Sequence, residues 1–114
     1  MRIISGKFGG RRIHPPTNMP HTRPTTDIAK EGLFNILHNR VAIDGAITLD
    51  LFGGTGCISY ELASRGAEQL TIVEKDKTML DFIKKNIDFL KIENAITIQM
   101  DVFQFLATCS QQYD

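Results

Sequence analysis

Apolar and polar positions along this chain follow two rhythms, and the change between them falls at Ile47. From there, short apolar runs alternate with segments of helical spacing. Ile47–Phe52 reads as a strand, followed by a helix from Cys57 to about Arg65 that stops at Gly66. Gln69–Glu74 reads as a second strand. Asp76 then stands where a helix cap belongs, ahead of a helix to about Lys91 with Leu80, Ile83, Ile87 and Leu90 on one face. Ala95–Met100 is the third strand, and a short helix with Phe103 and Leu106 follows Asp101. Before Ile47 the pattern differs. Arg2–Ile4 and Arg11–His14 flank Gly6, Gly9 and Gly10, which predicts a small hairpin. Pro15, Pro16, Pro20 and Pro24 keep the next segment extended. Thr25-Thr26-Asp27 offers a helix start, and Ile28, Leu33, Phe34, Ile36 and Leu37 supply the apolar side of a helix reaching about Asn39.

Repeated strand and helix units predict an α/β fold with a parallel sheet. An open doubly wound sheet normally continues on the other side of its first strand after three such units, so the 114 residues read as half of one. The first strand would then be an exposed apolar edge, which predicts a homodimer or higher oligomer through Ile47–Phe52.

Composition adds little, but charge adds something. No apolar run approaches the roughly 20 residues that span a bilayer, and Met1–Lys7 lacks the apolar centre of a secretion signal, so no membrane partner and a cytoplasmic location are expected. Cys57 and Cys109 have no metal-ligand spacing, and neither do His14, His21 and His38; no metal is expected. The net charge of zero conceals an asymmetry: residues 1–40 hold seven basic and two acidic side chains, while residues 41–114 hold six basic and eleven acidic. The asymmetry divides the chain into a basic region over 1–40, which is either an arm that meets a polyanion or a solvated basic edge with no partner, and a ligand-binding region over 41–114.

The candidate chemistry is concentrated at the predicted strand ends. Asp50-Leu51-Phe52-Gly53-Gly54-Thr55-Gly56 joins a strand to a helix through glycines, a geometry that lets a nucleotide-sized ligand approach the backbone. A carboxylate at Asp50 would repel a pyrophosphate but suits a ligand that brings positive charge, such as S-adenosylmethionine (SAM). Glu74 stands eighteen residues after Gly56, close to the spacing at which an acid grips a ribose hydroxyl. Asp101 could accept from an adenine amine with Val102 beside the ring. The rival is a dinucleotide site, because Gly54-Thr55-Gly56-Cys57-Ile58-Ser59 nearly fits G-x-G-x-x-G/A; Ser59 and Asp50 both argue against it. Phe82, Phe89, Phe103 and Phe105 read as core, Cys57 as small-residue packing, and Lys84, Lys85 and Lys91 as a solvated helix face.

The chain resembles the RsmD-type methyltransferases, which modify guanine N2 in small-subunit ribosomal RNA. The resemblance rests on Met1-Arg2-Ile3-Ile4-Ser5-Gly6-Lys7, Gly10-Arg11-Arg12, Arg23-Pro24-Thr25-Thr26-Asp27, Glu31-Gly32-Leu33-Phe34-Asn35, the Asp50–Gly56 turn, Ser64-Arg65-Gly66-Ala67 and Ile72-Val73-Glu74-Lys75-Asp76. It implies a Rossmann-like SAM-dependent methyltransferase fold. It further implies that Asp50, Gly53, Gly54 and Gly56 hold the amino-acid end of SAM, Glu74 the ribose, and Asp101 with Val102 the adenine. Phe52 and Lys75 belong with these cofactor-binding positions. Arg23, Thr25 and Thr26 would stand near the cofactor and target-base pocket, and Arg2, Lys7, Arg11 and Arg12 would meet RNA phosphates. The family's catalytic Asp/Asn-Pro-Pro-Tyr/Phe tetrapeptide, which aims the acceptor amine at the methyl group, is not among these residues; the sole Pro-Pro is Pro15-Pro16. No catalytic residue is therefore assigned, and the 114 residues alone are expected to bind SAM without methylating RNA. The remaining alternatives are another nucleic-acid amino-methyltransferase, a non-catalytic SAM- or RNA-binding module, and an NAD-binding protein.

Overall fold

The computed structural model describes residues 2–13, 27–51 and 53–113. Arg23, Thr25, Thr26 and Phe52, like the proline-rich linker, lie outside the described residues. Among the described residues, four helices and three strands follow in the order α1 (Asp27–Arg40), β1 (Ile47–Asp50), α2 (Cys57–Ser64), β2 (Gln69–Glu74), α3 (Lys77–Leu90), β3 (Ala95–Gln99) and α4 (Val102–Thr108). The strands form one parallel sheet in the order β1-β2-β3. β2 is central, and its residues from Leu70 to Val73 are all buried, as a strand covered on both faces requires. β1 and β3 are edges, half-buried along most of their length.

Local chemistry sets the element ends. The Asp76 carboxylate accepts from the Met79 amide at 3.1 Å and caps α3, and Lys91 closes that helix in the left-handed conformation at φ 57°. α2 ends where Gly66 takes φ 101°, as the sequence predicts. Val73, Met79, Leu80 and Ile83 bury the upper part of α3 against β2. Lower down, Tyr60, Leu70, Leu90 and Ile92 share one apolar cluster with Ile3, Phe8 and Ile13 from the N-terminal segment.

That segment is the predicted hairpin, reduced to its minimum. Arg2 and Arg12 form an antiparallel bridge, with Ile3 and Arg11, and Gly10 and Ile3, joined by backbone hydrogen bonds of 2.9 and 2.8 Å. It docks on the last turn of α2. The Phe8 amide donates to Ser64 Oγ at 2.8 Å, the Lys7 amide to the Ser64 carbonyl at 2.7 Å, and Ser64 Oγ to the Ser5 carbonyl. Gly6 lies so close that a Cβ there would stand 2.0 Å from the Ser64 carbonyl oxygen, and its φ of 86° disfavours a side chain as well.

A buried ionic cluster ties the hairpin, α1 and α2 together. Glu61 and Lys30 are 0% and 1% exposed. The Glu61 carboxylate accepts from the Ile4 amide (2.8 Å), the Ser5 amide (3.1 Å) and Arg65 Nε (2.9 Å), with Lys30 Nζ 3.4 Å away. Lys30 Nζ also donates to the Arg2 carbonyl. Arg65 in turn lies 4.8 Å from the centre of the Phe34 ring. At the start of α1, the Arg2 amide donates to Asp27 Oδ1 at 3.0 Å and holds that carboxyl below its ordinary range. An acid held low stabilises the folded form above about pH 4 and stops doing so as it protonates.

Two expectations are corrected here. The predicted apolar side of α1 is mostly on the surface: Ile28 is 84% exposed, and Leu33 and Ile36 are exposed too. Of that set Phe34 is fully buried as expected, and Lys30, one turn before it, is buried beside it because it pairs with the Glu61 carboxylate, while the Phe34 ring lies against the Arg65 guanidinium. Likewise Phe89 and Phe103 are exposed surface aromatics, not core, whereas Phe105 is buried and Phe82 half-buried.

Candidate functional site

The three acids expected together at the sheet edge are staggered along it, and the register explains why. Asp50 of β1 pairs with Ile72, two residues short of Glu74; Glu74 pairs with Gln99, two residues short of Asp101. Each step of two residues moves about 6–7 Å along the strand direction. Asp50, Glu74 and Asp101 therefore climb outwards across the carboxyl edge in sequence order. The arrangement suits an elongated ligand laid across the edge, not one clasped by all three carboxylates at a point.

The two outer acids share a cavity of about 260 Å³ lined by Leu51, Gly54, Glu74, Lys75, Met100, Asp101, Val102 and Phe103. Glu74, Lys75, Asp101, Val102 and Gly54 were expected at a ligand site and are brought together here. Glu74 reaches back to the glycine turn: Oε1 accepts from the Gly54 amide and Oε2 from the Asp76 amide, both at 2.9 Å. It thereby fixes the turn and the entry to α3 while keeping one lone pair on each oxygen. Asp101 caps α4 through Oδ1 alone, accepting from the Phe103 amide at 2.9 Å and the Gln104 amide at 3.4 Å. Capping and ligand binding are thus compatible at this residue. Leu51, Met100 and Phe103 are additions that sequence reasoning missed. Phe103 carried a signal in being an aromatic one residue beyond Val102, but its apolar character was ascribed to the core.

Asp50, Gly53 and Gly56 do not line this cavity. The Asp50 carboxylate accepts from the Ser59 hydroxyl at 3.0 Å, so the residue that breaks the dinucleotide pattern anchors the acid instead. The glycines have distinct causes. A Cβ at Gly53 would meet Ile72 Cγ2 at 2.8 Å and Ile83 Cδ1 at 3.0 Å, so the turn packs flat against β2 and α3. At Gly56, with φ 82°, a Cβ would meet the Tyr60 ring at 2.5 Å. Burial pushes the Tyr60 phenol up, so the ring beneath the turn stays neutral. Gly54 also takes a positive φ, 54°.

Arg2, Lys7, Arg11 and Arg12 are exposed on the hairpin, but the hairpin sits at the last turn of α2, the opposite end from the glycine turn. α2 alone puts about 12 Å between the two features. Lys7 Nζ and Arg11 Cζ both lie over the Phe8 ring, at 5.6 and 5.5 Å from its centre. Among the described residues no cluster of three potential metal ligands occurs, and no helix is long and apolar enough to cross a membrane.

A parallel sheet with a glycine turn after its first strand, and acids stepping along its carboxyl edge, defines the Rossmann-like methyltransferase class of fold. The family profile described as Conserved hypothetical protein 95 matches residues 1–114, and the chain belongs to that family. Among curated relatives, Ribosomal RNA small subunit methyltransferase D of Escherichia coli K12 is 39% identical over 107 residues, covering 94% of this chain and 52% of the relative. Its namesake in Buchnera aphidicola (subsp. Baizongia pistaciae) is 37% identical over 114 residues, all of this chain and 57% of the relative. A solved Escherichia coli protein, named provisionally as a methyltransferase, superposes with a TM-score of 0.80 at 36% identity over 94% of this chain and 56% of its own. A hypothetical protein of Thermus thermophilus gives the same TM-score of 0.80 at 30% identity, over 94% of this chain and 59% of its own. The chain thus spans about half the length of the curated relatives it matches. The RsmD-type resemblance is borne out by these matches.

Proposed function

We propose that these residues bind S-adenosylmethionine, and that the whole protein to which they belong methylates the exocyclic N2 of a guanine in small-subunit ribosomal RNA. The stagger of Asp50, Glu74 and Asp101 carries the first part. SAM is an elongated ligand with a cationic amino-acid end, a ribose and an adenine, and the edge offers a carboxylate for each in that order. The cavity of about 260 Å³ is smaller than the roughly 300–1,000 Å³ of sites that enclose a whole drug-sized ligand, which fits the nucleoside portion alone. Glu74 has a free lone pair on each oxygen for the ribose hydroxyls. Asp101 Oδ2 faces no capping amide and is open to the adenine amine, with Val102 and Phe103 as apolar walls. Asp50, outside the cavity and steadied by Ser59, is left for the ammonium and sulfonium end. When bound, SAM supplies an electrophilic methyl group; this chain's residues hold and orient the donor. The tetrapeptide that would aim the acceptor amine is not among the 114 residues, so methyl transfer is proposed of the whole protein.

The names of the curated relatives support ribosomal RNA of the small subunit as the substrate. The exposed cations of the hairpin supply sequence-independent phosphate contacts. Self-association through β1 fits the sheet order, which leaves β1 an edge, and the adjoining groove lined by Leu37, Val41, Leu49 and Leu62. Sedimentation should show a mass that rises with concentration, and a strict monomer at high concentration would refute it. For the ligand, calorimetric titration of the 114-residue chain should give heat with SAM and none with NAD. Heat with NAD alone would replace the methyltransferase reading with the dinucleotide one.

A further inference from the structure

Far from the strand-end site, a groove of about 560 Å³ separates the hairpin from the turn between α3 and β3. Its rim carries Lys7 from the hairpin and Lys91 from the end of α3, and its floor is Phe8, Ala63 and Ile92. Neither lysine has a carboxylate partner within 4 Å among the described residues, although Glu93 also lines the groove. A ring places one of these cations, and the other stands on a fixed backbone. Lys7 lies over the Phe8 ring, and Arg11 joins it on the same ring. Lys91 is fixed by its left-handed backbone, with its amide bonded to the Asp88 carbonyl and that of Ile92 to Ile87. Asn94 pins the rest of the turn by donating to the Ala67 and Glu68 carbonyls, both at 2.8 Å.

We infer that this groove is a second RNA-contact surface, in which Lys7 and Lys91 hold backbone phosphates remote from the target base. The inference rests on the RNA-substrate reading above and extends it to Lys91, whose sequence context suggests only a solvated helix face. Two segments more than eighty residues apart in sequence bring cations to one groove, with Arg11 beside it, against one lining carboxylate, Glu93, among the described residues. Cations with no carboxylate partner among the described residues, above an apolar floor, complement a polyanion with flat apolar surfaces between its charges. The cavity beside Arg65 lacks this property, because Arg65 is already bonded to Glu61. α3 has 14 residues and spans about 21 Å, so an RNA that reaches both the groove and the strand-end cavity must extend over at least that length. The groove therefore governs RNA affinity and leaves SAM affinity unchanged.

The test measures anisotropy of a labelled RNA stem-loop against salt concentration, for the full 114-residue chain and for Lys7→Gln, Lys91→Asn and the double variant. Asparagine is chosen at 91 because it tolerates the left-handed conformation. Each substitution should flatten the dependence of log affinity on log salt by about 1, additively. Lys84→Gln, the same charge change at an exposed residue of α3 that does not line the groove, should leave it unaltered, and SAM heats should match the parent's throughout. Equal effects from Lys84→Gln, or unchanged slopes in the double variant, would overturn the groove. Equally tight binding of polyglutamate would do so too, by showing a generic or protein-directed anion surface. Failure of the unsubstituted chain to bind RNA would overturn the groove and the RNA reading together. Groove-dependent RNA binding without SAM heat would instead leave the groove standing and remove the proposed cofactor.

Discussion

Glu61→Ala is expected to lower the unfolding free energy by about 3–5 kcal/mol, a large part of the total for a domain of this size. The carboxylate is fully buried and is the common acceptor for Lys30, Arg65 and the amides of Ile4 and Ser5. Without it, the buried Lys30 charge would rely on the Arg2 carbonyl, and two amides of the hairpin would lose their partner. Lys30→Met should cost much less, about 1–2 kcal/mol, because Glu61 keeps Arg65 and both amides. Urea unfolding of the two variants checks the ordering. Should Lys30→Met prove the more damaging, the cluster would be organised around the lysine and not, as described, around the acid. The hairpin is part of the prediction: its amides, Ile4 and Ser5 first, should lose hydrogen-exchange protection in Glu61→Ala before those of β2 do.

Glu74→Ala is expected to weaken SAM binding by about 100-fold or more, since two hydrogen bonds to a charged acceptor contribute roughly 1.5–3 kcal/mol each. The effect has a second source. Glu74 also secures the Gly54 and Asp76 amides, so its removal loosens the glycine turn and the start of α3 together. Glu74→Gln, which keeps one acceptor oxygen, should fall between the two. Calorimetry measures the affinities; an alanine variant within about threefold of the parent would show that Glu74 serves the turn and not a ligand.

Much of the fold was legible because its elements carry local signals. The β2 limits, Gln69 and Glu74, follow from an apolar run interrupted only by Thr71, and the start of α3 follows from Asp76 as a cap. α2 was equally plain, with glycines in positive φ at both ends. What failed depended on partners distant in sequence. The apolar residues of α1 gave no hint that Lys30 would be buried, because its reason, Glu61, lies 31 positions on. Phe103 and Phe89 were misplaced by the same cause, since an apolar side chain does not reveal whether anything packs against it. At the site, Glu74, Asp101 and the glycine turn were legible as strand-end chemistry. Their stagger was not, because register between parallel strands is set by packing across the whole sheet. Lys91 illustrates the converse: a lysine ending an amphipathic helix looks solvated until the fold sets it opposite Lys7.

The carboxyl edge of β1, β2 and β3 is proposed as a site for S-adenosylmethionine, with the amino-acid end at Asp50 and the nucleoside at Glu74 and Asp101. An amide spectrum of the isotope-labelled 114-residue chain, titrated with SAM, tests this most directly. Saturable shifts are expected at Gly54, Glu74, Lys75, Asp101 and Val102, a second set at Asp50 and Ser59, and none at the hairpin residues Ile3–Arg12. Adenosine alone should move the first set and spare the second. Shifts confined to the hairpin or to the groove beside Lys91, or an unchanged spectrum at saturating SAM, would show that the strand ends do not hold SAM.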